Sequence, residues 1–208
     1  MMLGLVLGLF PQGDACSWDG ITCEASRVVG MSLSGYGIPG TLPEAWAQLF
    51  KVTYFDLSNN QLTGSLPDSW QTWTDVTYFD LSNNTLTGPL PDSWQTWTNL
   101  EKMNLGMNSL NGSIPGSWGS LTKMGEFDLS ANQLTGALPD SWQTWTNATY
   151  VDLNTNRLTG LLPDSWQTWT NVNLQHQPRM QKLVLSTRLH RSAVLHANVQ
   201  NSPYVLSI

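Results

Sequence analysis

The side chains able to do covalent chemistry are few and poorly placed for it. All three histidines, His176, His190 and His196, lie beyond residue 171 in a stretch without periodic pattern. No Gly-x-Ser-x-Gly elbow, His-Glu-x-x-His pair, phosphate-binding loop or kinase signature accompanies them. A Ser, His and acid triad would have to recruit its base from that stretch, and neither Cys nor His clusters at metal-ligand spacing. The expectation is a non-catalytic chain with no cofactor and no metal. What recurs instead are groups suited to recognition. At intervals of 24 residues one series reads Ser32, Asp56, Asp80, Asn104, Asp128, Asp152, and its neighbour reads Gly30, Tyr54, Tyr78, Lys102, Glu126, Tyr150. Tyrosine supplies a stacking face and aspartate accepts hydrogen bonds, so with Ser58 and Ser82 alongside they suit a basic peptide, a sugar or a calcium ion. Recent duplication copies surface residues whatever their use, so the two series read either as a binding surface or as inherited scaffold.

The elements that must position these residues follow from the same repetition. Val52 to Asp75 and Val76 to Asn99 are nearly identical, and the register persists through Asn60, Asn84, Asn108, Asn132 and Asn156. A degenerate unit from Val28 to Lys51 keeps Leu33, Gly40, Pro43 and Trp46, which makes six coils of 24 over residues 28–171. Within a coil Phe55 and Leu57 alternate with polar residues as in a short strand, whereas Leu66, Trp70, Trp73 and Val76 follow spacings of three and four. A strand therefore lines one side of each coil and a tighter 3₁₀-like segment returns along the other. Tyr54, Asp56 and Ser58 should then point outward, and the Asn after the strand should turn inward to satisfy backbone groups of the adjacent coil. A single coil buries little, so stability must come from stacking.

The string LxLSxNxLTGxLPxSWxxxT in these coils resembles the plant-type leucine-rich repeat, over about residues 28–171. Trp70 and Trp73 stand where Leu is usual, which is similar to green-algal versions and to repeats in trypanosomatid surface antigens. The resemblance implies an α/β-type solenoid: a right-handed superhelix with short parallel strands on a concave face and a 3₁₀ or irregular convex side. It also implies that CSWDGITC, Cys16 to Cys23, ends an N-terminal cap over residues 16–27 closed by a disulfide; spacing alone leaves two free thiols open. Such proteins are receptor ectodomains, polygalacturonase inhibitors or adhesion proteins, extracellular or at the cell surface.

Composition narrows the partner. Nine Lys and Arg against fifteen Asp and Glu leave a net charge of −6, which opposes nucleic-acid binding. Charged residues make up only 12% of the chain and eleven are Trp, which opposes intrinsic disorder. No apolar run reaches the roughly 18–20 residues of a spanning helix, so no membrane span is expected in this chain. The charge is divided: residues 1–171 hold every acid and five bases, a net −10, while residues 172–208 hold four bases and no acid.

The ends are less regular. Residues 1–15 begin MMLGLVLGLF and read as a truncated signal segment or as a strand or helix packed on the cap. After residue 171 a seventh coil would need Phe-x-Leu at 175 and 177, where Gln175 and Gln177 stand, so the basic tail 172–208 reads as a poorly ordered segment, a gene-model artefact, or an amphipathic helix over about Gln181 to Leu195. Three Asn-x-Ser/Thr triplets, at Asn83, Asn111 and Asn147, are glycosylation acceptors if the protein is secreted, with Asn83 and Asn147 expected to be exposed. On the convex side Thr72, Thr96, Ser120, Thr144 and Thr168 run beside Thr74, Thr98, Thr122, Thr146 and Thr170, which resembles the hydroxyl arrays of ice-binding solenoids. The functional expectation is a module that recognises a protein, peptide or glycan, a basic one among them, on its concave and lateral faces; the alternative is an ice-binding or surface-structural protein.

Overall fold

A computed structural model describes residues 14–170 and 172–175. The expectations for the chain's first 13 residues, for the tail helix and for the three histidines lie outside those residues. The described chain is a solenoid of stacked coils. Seven parallel strands, Arg27–Ser32, Tyr54–Asp56, Tyr78–Asp80, Lys102–Asn104, Glu126–Asp128, Tyr150–Asp152 and Asn173–Gln175, form one sheet. Ile21–Glu24 adds an antiparallel strand at its N-terminal edge. Opposite the sheet each coil returns through a five-residue 3₁₀ helix, from Glu44–Gln48 to Asp164–Thr168. The solenoid has a feature the alternation did not foretell: a second set of short parallel pairings, such as Gln61–Thr63 on Pro39–Thr41, between the sheet and the 3₁₀ side. Gly64 closes that turn at φ +79°, a left-handed conformation that a Cβ would strain.

The coils are locked by side chains as well as by packing. Asn84 is buried and donates through Nδ2 to the carbonyls of Leu57, Leu81 and Ser82, at 3.0, 3.1 and 3.3 Å, while its Oδ1 accepts from Leu62 N at 2.9 Å. Asn60, Asn108, Asn132 and Asn156 repeat the pattern, so each Asn replaces water for groups of two adjacent coils. The core between the sheet and the 3₁₀ helices is aromatic. Within a coil the two tryptophans stack, at 4.4 Å for Trp70 and Trp73 and 4.2 Å for Trp94 and Trp97, and Phe55 stacks on Phe79 of the next coil at 5.3 Å. The indoles are more than enlarged leucines. Trp70, Trp94, Trp118 and Trp166 donate Nε1–H to the carbonyls of Pro43, Pro67, Pro91 and Pro139, one coil back, and Trp73 and Trp97 do the same to Trp46 and Trp70.

The expected end of the repeats at residue 171 falls too early. Residues 173–175 add a strand, but with a step of 23: Tyr150 lies opposite Asn173, Val151 opposite Leu174 and Asp152 opposite Gln175. A one-residue slip exchanges the two faces of a strand. Here it packs Leu174 against the core, where a step of 24 would have turned Gln175 inward.

At the other end Cys16 and Cys23 form a disulfide, and Ile21 and Cys23 cover the first coil. The hairpin that carries Cys23 turns through Ala25 and Ser26 at φ +46° and +59°, the left-handed pair that Asn-Gly adopts most readily. Ala25→Asn with Ser26→Gly should therefore raise stability by about 1 kcal/mol. Urea unfolding should show a higher midpoint at unchanged slope, and a lower midpoint would contradict the turn assignment.

Candidate functional site

The strands place both recurrent series on one face, in register. Gly30, Tyr54, Tyr78, Lys102, Glu126 and Tyr150 stand opposite one another across the sheet, as do Ser32, Asp56, Asp80, Asn104, Asp128 and Asp152. Within the first series Tyr54, Tyr78, Lys102 and Glu126 form a continuous chain of contacts. Tyr54 stacks on Tyr78 with ring centroids 4.4 Å apart and planes at 13°. Lys102 Nζ lies 5.5 Å from the Tyr78 ring centre and pairs with Glu126 at 2.8 Å. This Glu126 contact raises the Lys102 pKa further above its ordinary value, against the opposing pull of partial burial. Tyr54 is 38% exposed, and its outer neighbour is Gly30, which has no side chain to cover it. Tyr150 stands apart from this chain of contacts and donates to Asp152 Oδ2 at 3.1 Å; burial first, and the Asp152 charge next, push its phenol up to about 12.

The aspartate series behaves differently from its sequence reading. Asp56 Oδ1 accepts from Ser58 N at 2.9 Å and Ser58 Oγ at 2.7 Å, and Asp80 Oδ1 accepts from Ser82 N at 2.8 Å and Ser82 Oγ at 2.6 Å. Asn104, Asp128 and Asp152 hold the backbone N–H two residues on in the same way. Each side chain thus closes the turn that ends its strand, a local Asx arrangement. In consequence Asp80 and Ser58 are buried, at 8% and 5% exposure, and do not present the outward surface expected of them. Ser58 also shares a hydrogen bond with Ser34, and Ser82 is half-buried. Asp56, Asn104, Asp128 and Asp152 remain half-buried, so the accessible part of this face is the tyrosine, lysine and glutamate series with the edges of those four.

Burial is the leading cause that raises the carboxyl pKa of Asp80 above its ordinary value, with the Ser82 and Asn104 hydrogen bonds acting against it. A carboxyl whose pKa is higher folded than unfolded stabilises the fold most below the unfolded value, and that contribution is lost as pH rises through the folded value. Asp80→Asn keeps an Oδ1 for Ser82, as Asn104 does for Gly106. Relative to the variant, the parent should lose stability as pH climbs from about 4, the unfolded carboxyl range, until pH has passed the raised folded value. Paired urea titrations at pH 4 and pH 7 check this, and a difference that does not change with pH would refute it.

On the convex side the two hydroxyl series part company. Thr72, Thr96, Ser120, Thr144 and Thr168 donate to the carbonyls of Ala47, Gln71, Gln95, Gly119 and Gln143 one coil back, so their hydrogens serve the stack. Thr74, Thr98, Thr122, Thr146 and Thr170 are exposed. Asn83, Asn111 and Asn147 are all exposed, with Asn83 in the left-handed region and its amide on Asn59 Oδ1. Among the described residues no helix is long and apolar enough to cross a membrane.

The Leucine Rich Repeat family profile matches residues 51–73, 75–97, 99–121 and 147–169. A plant peptide hormone receptor, RGFR1 in complex with RGF2, is 33% identical at a TM-score of 0.64, over 66% of this chain and 22% of its own. The Arabidopsis receptor kinase HAESA, in complex with the peptide hormone IDA and the co-receptor SERK1, is 28% identical at 0.69, over 78% of this chain and 28% of its own. A plant ice-binding protein is 26% identical at 0.67, over 79% of this chain and 54% of its own. The chain thus spans about a quarter of the two receptors. No curated protein shows a sequence match.

Proposed function

We propose that the chain is a leucine-rich repeat protein of the plant type, a non-catalytic recognition module that works outside the cell and binds a peptide along its strand face. One observation carries the reading. The ladder from exposed Tyr54 through half-buried Tyr78 and Lys102 to exposed Glu126 runs across four parallel strands and is already held by its own contacts, so a ligand laid across it orders little. Two structural neighbours are receptors solved with peptide hormones, which supports a peptide over a glycan. The ladder ends in the open face of Tyr54 at one side and the carboxylate of Glu126 at the other. Both favour a cationic side chain, by ring quadrupole and by charge. The oxidised cap and the three exposed sequon asparagines support an extracellular setting.

The test is titration of the full chain with a panel of arginine-containing decapeptides beside arginine-free counterparts. Tyr54→Ala should weaken binding of the best peptide about tenfold, the scale of an aromatic anchor, while loss of the Tyr54–Tyr78 stack lowers the melting temperature by no more than about 5 °C. Equal affinity for both panels, or an unaltered Tyr54→Ala, sinks the proposal. The exposed threonine column from Thr74 to Thr170 and the ice-binding neighbour favour a second reading, in which those hydroxyls meet ice. Its pairing is broken, because the adjoining column is bonded inward. Thermal hysteresis that disappears in Thr98→Val would establish it; hysteresis at buffer level removes it.

A further inference from the structure

The C-terminal end of the strand face carries a charge that its own residues do not balance. Asp128 and Asp152 stand directly opposite one another on adjacent parallel strands, which lie about 4.8 Å apart. Like charges so placed repel. Each carboxylate holds the backbone N–H two residues on through Oδ1, and Asp152 Oδ2 accepts from Tyr150. Both side chains remain half-buried, at the open surface of the sheet. Neither has a basic partner among the described residues, because Lys102, the only base in the two recurrent series, pairs with Glu126 at 2.8 Å. Burial first, and the Asp128 charge after it, hold the Asp152 carboxyl above its ordinary pKa. A cation laid against the pair would relieve that repulsion.

The chain itself supplies cations at this place. The last strand of the sheet, Asn173–Gln175, is the neighbour of Tyr150–Asp152, and Gln175 stands opposite Asp152. Residues 176–208 continue from there with Arg179, Lys182, Arg188 and Arg191 and with no Asp or Glu, whereas all fifteen acids precede them. Arg179 is four residues beyond Gln175, a reach of up to about 13 Å, and Lys182 is seven beyond it, up to about 23 Å. Asp128 lies two strand spacings, about 10 Å, from Asn173–Gln175, so both bases reach the pair. A second acidic stripe runs along the 3₁₀ side, but there the carboxylates of Asp68, Asp92 and Asp140 already accept from Ser93, Ser117 and Ser165 of the next coil. Opposite charge, reach and a shared sheet edge together select the strand face.

We propose that the basic segment 176–208 is a ligand in cis of the strand face, with Arg179 and Lys182 seated on Asp152 and Asp128. The docking makes no use of the peptide reading, which concerns the ladder from Tyr54 to Glu126. The probe is a synthetic peptide of residues 176–208, titrated by calorimetry into two full-length chains, the parent and one neutralised by Arg179→Gln, Lys182→Gln, Arg188→Gln and Arg191→Gln. The neutralised chain should bind the peptide saturably. The parent, whose seat is filled at the roughly millimolar effective concentration of a tether, should bind it at least about tenfold more weakly. Adding Asp128→Asn and Asp152→Asn to the neutralised chain should weaken the peptide about tenfold by removing the paired charges. Those turns stay closed, because Asn keeps the Oδ1 that Asn104 offers Gly106. Adding Asp68→Asn and Asp92→Asn instead removes as much charge from the 3₁₀ side and should change the affinity less than about twofold. Absence of saturable binding at about 1 mM peptide, equal affinity of the parent and neutralised chains, or equal losses from the two aspartate pairs overturns the proposal.

Discussion

Replacing Asn84 by alanine is expected to lower the free energy of unfolding by about 2–4 kcal/mol, the cost of leaving the buried Leu62 N–H unpaired and taking one hydrogen bond from each of three carbonyls. The side chain serves four backbone groups in two coils, the Leu57, Leu81 and Ser82 carbonyls and the Leu62 N–H, at a site only 9% exposed. Truncation strands the Leu62 N–H in a space that alanine does not fill, while the three carbonyls keep a second donor each, Asn60 Nδ2, Asn108 Nδ2 and Asn59 N. Asn84→Asp is expected to be at least as damaging, although its shape is the same. A carboxylate has no N–H to offer the three carbonyls, and its charge would be buried among them. Asn60 makes the same set of bonds but is half-buried, so water replaces part of what Asn60→Ala removes and the loss should be smaller. Urea unfolding followed by far-ultraviolet circular dichroism checks the series. A cost below about 1 kcal/mol at Asn84, within the range of an ordinary exposed hydrogen bond, would show that stacking of the aromatic core alone holds adjacent coils together.

How far the sequence could be read depended on what each residue does besides point inward or outward. Periodicity located the strands, the inward asparagines and the buried tryptophans, because each repeats in fixed register and burial follows from alternation. It misjudged Asp80 and Ser58, because alternation gives the direction of a Cβ and not the fate of the polar atoms beyond it. The signal was present as Asp-x-Ser at the end of a strand, a local turn pattern whose bonds bury both side chains. The strand at 173–175 escaped for a different reason. Its pairing is chosen by which apolar residue reaches the core, so Leu174 shifts the register by one and a search at fixed spacing finds only Gln175. The tyrosines, lysine and glutamate of the strand face were legible individually, but their contacts were not. Stacking of Tyr54 on Tyr78 and seating of Lys102 between Tyr78 and Glu126 depend on side-chain conformations that neighbouring strands select.

The tryptophans show where a hydrophobic reading stops short, and they allow one hydrogen bond to be weighed against another in nearly identical surroundings. Trp94 and Trp142 hold equivalent positions two coils apart. Both are fully buried, and each stacks on the second tryptophan of its coil, at 4.2 and 4.1 Å. They differ in one atom's partnership: Trp94 Nε1 donates to the Pro67 carbonyl at 3.0 Å, whereas Trp142 Nε1 is buried with none. Substitution by phenylalanine removes the same volume from each site and leaves a similar cavity, so the packing cost is common to both. At Trp94 the change also removes one of the two hydrogen bonds that the Pro67 carbonyl accepts, the other coming from Trp70 N at 3.3 Å, while at Trp142 it deletes a donor that was already unsatisfied. Trp94→Phe should therefore cost about 0.5–1.5 kcal/mol more than Trp142→Phe, the net worth of one buried hydrogen bond. Trp142→Phe gives the packing contribution by itself. Equal losses from chemical denaturation of the two variants would mean that the indole N–H bonds add nothing to the stack and that size alone accounts for tryptophan in these coils. A larger loss at Trp94 would make the coil-to-coil indole bond a second ladder beside that of the asparagines, tying the 3₁₀ side of the solenoid together as Asn84 and its equivalents tie the strand side.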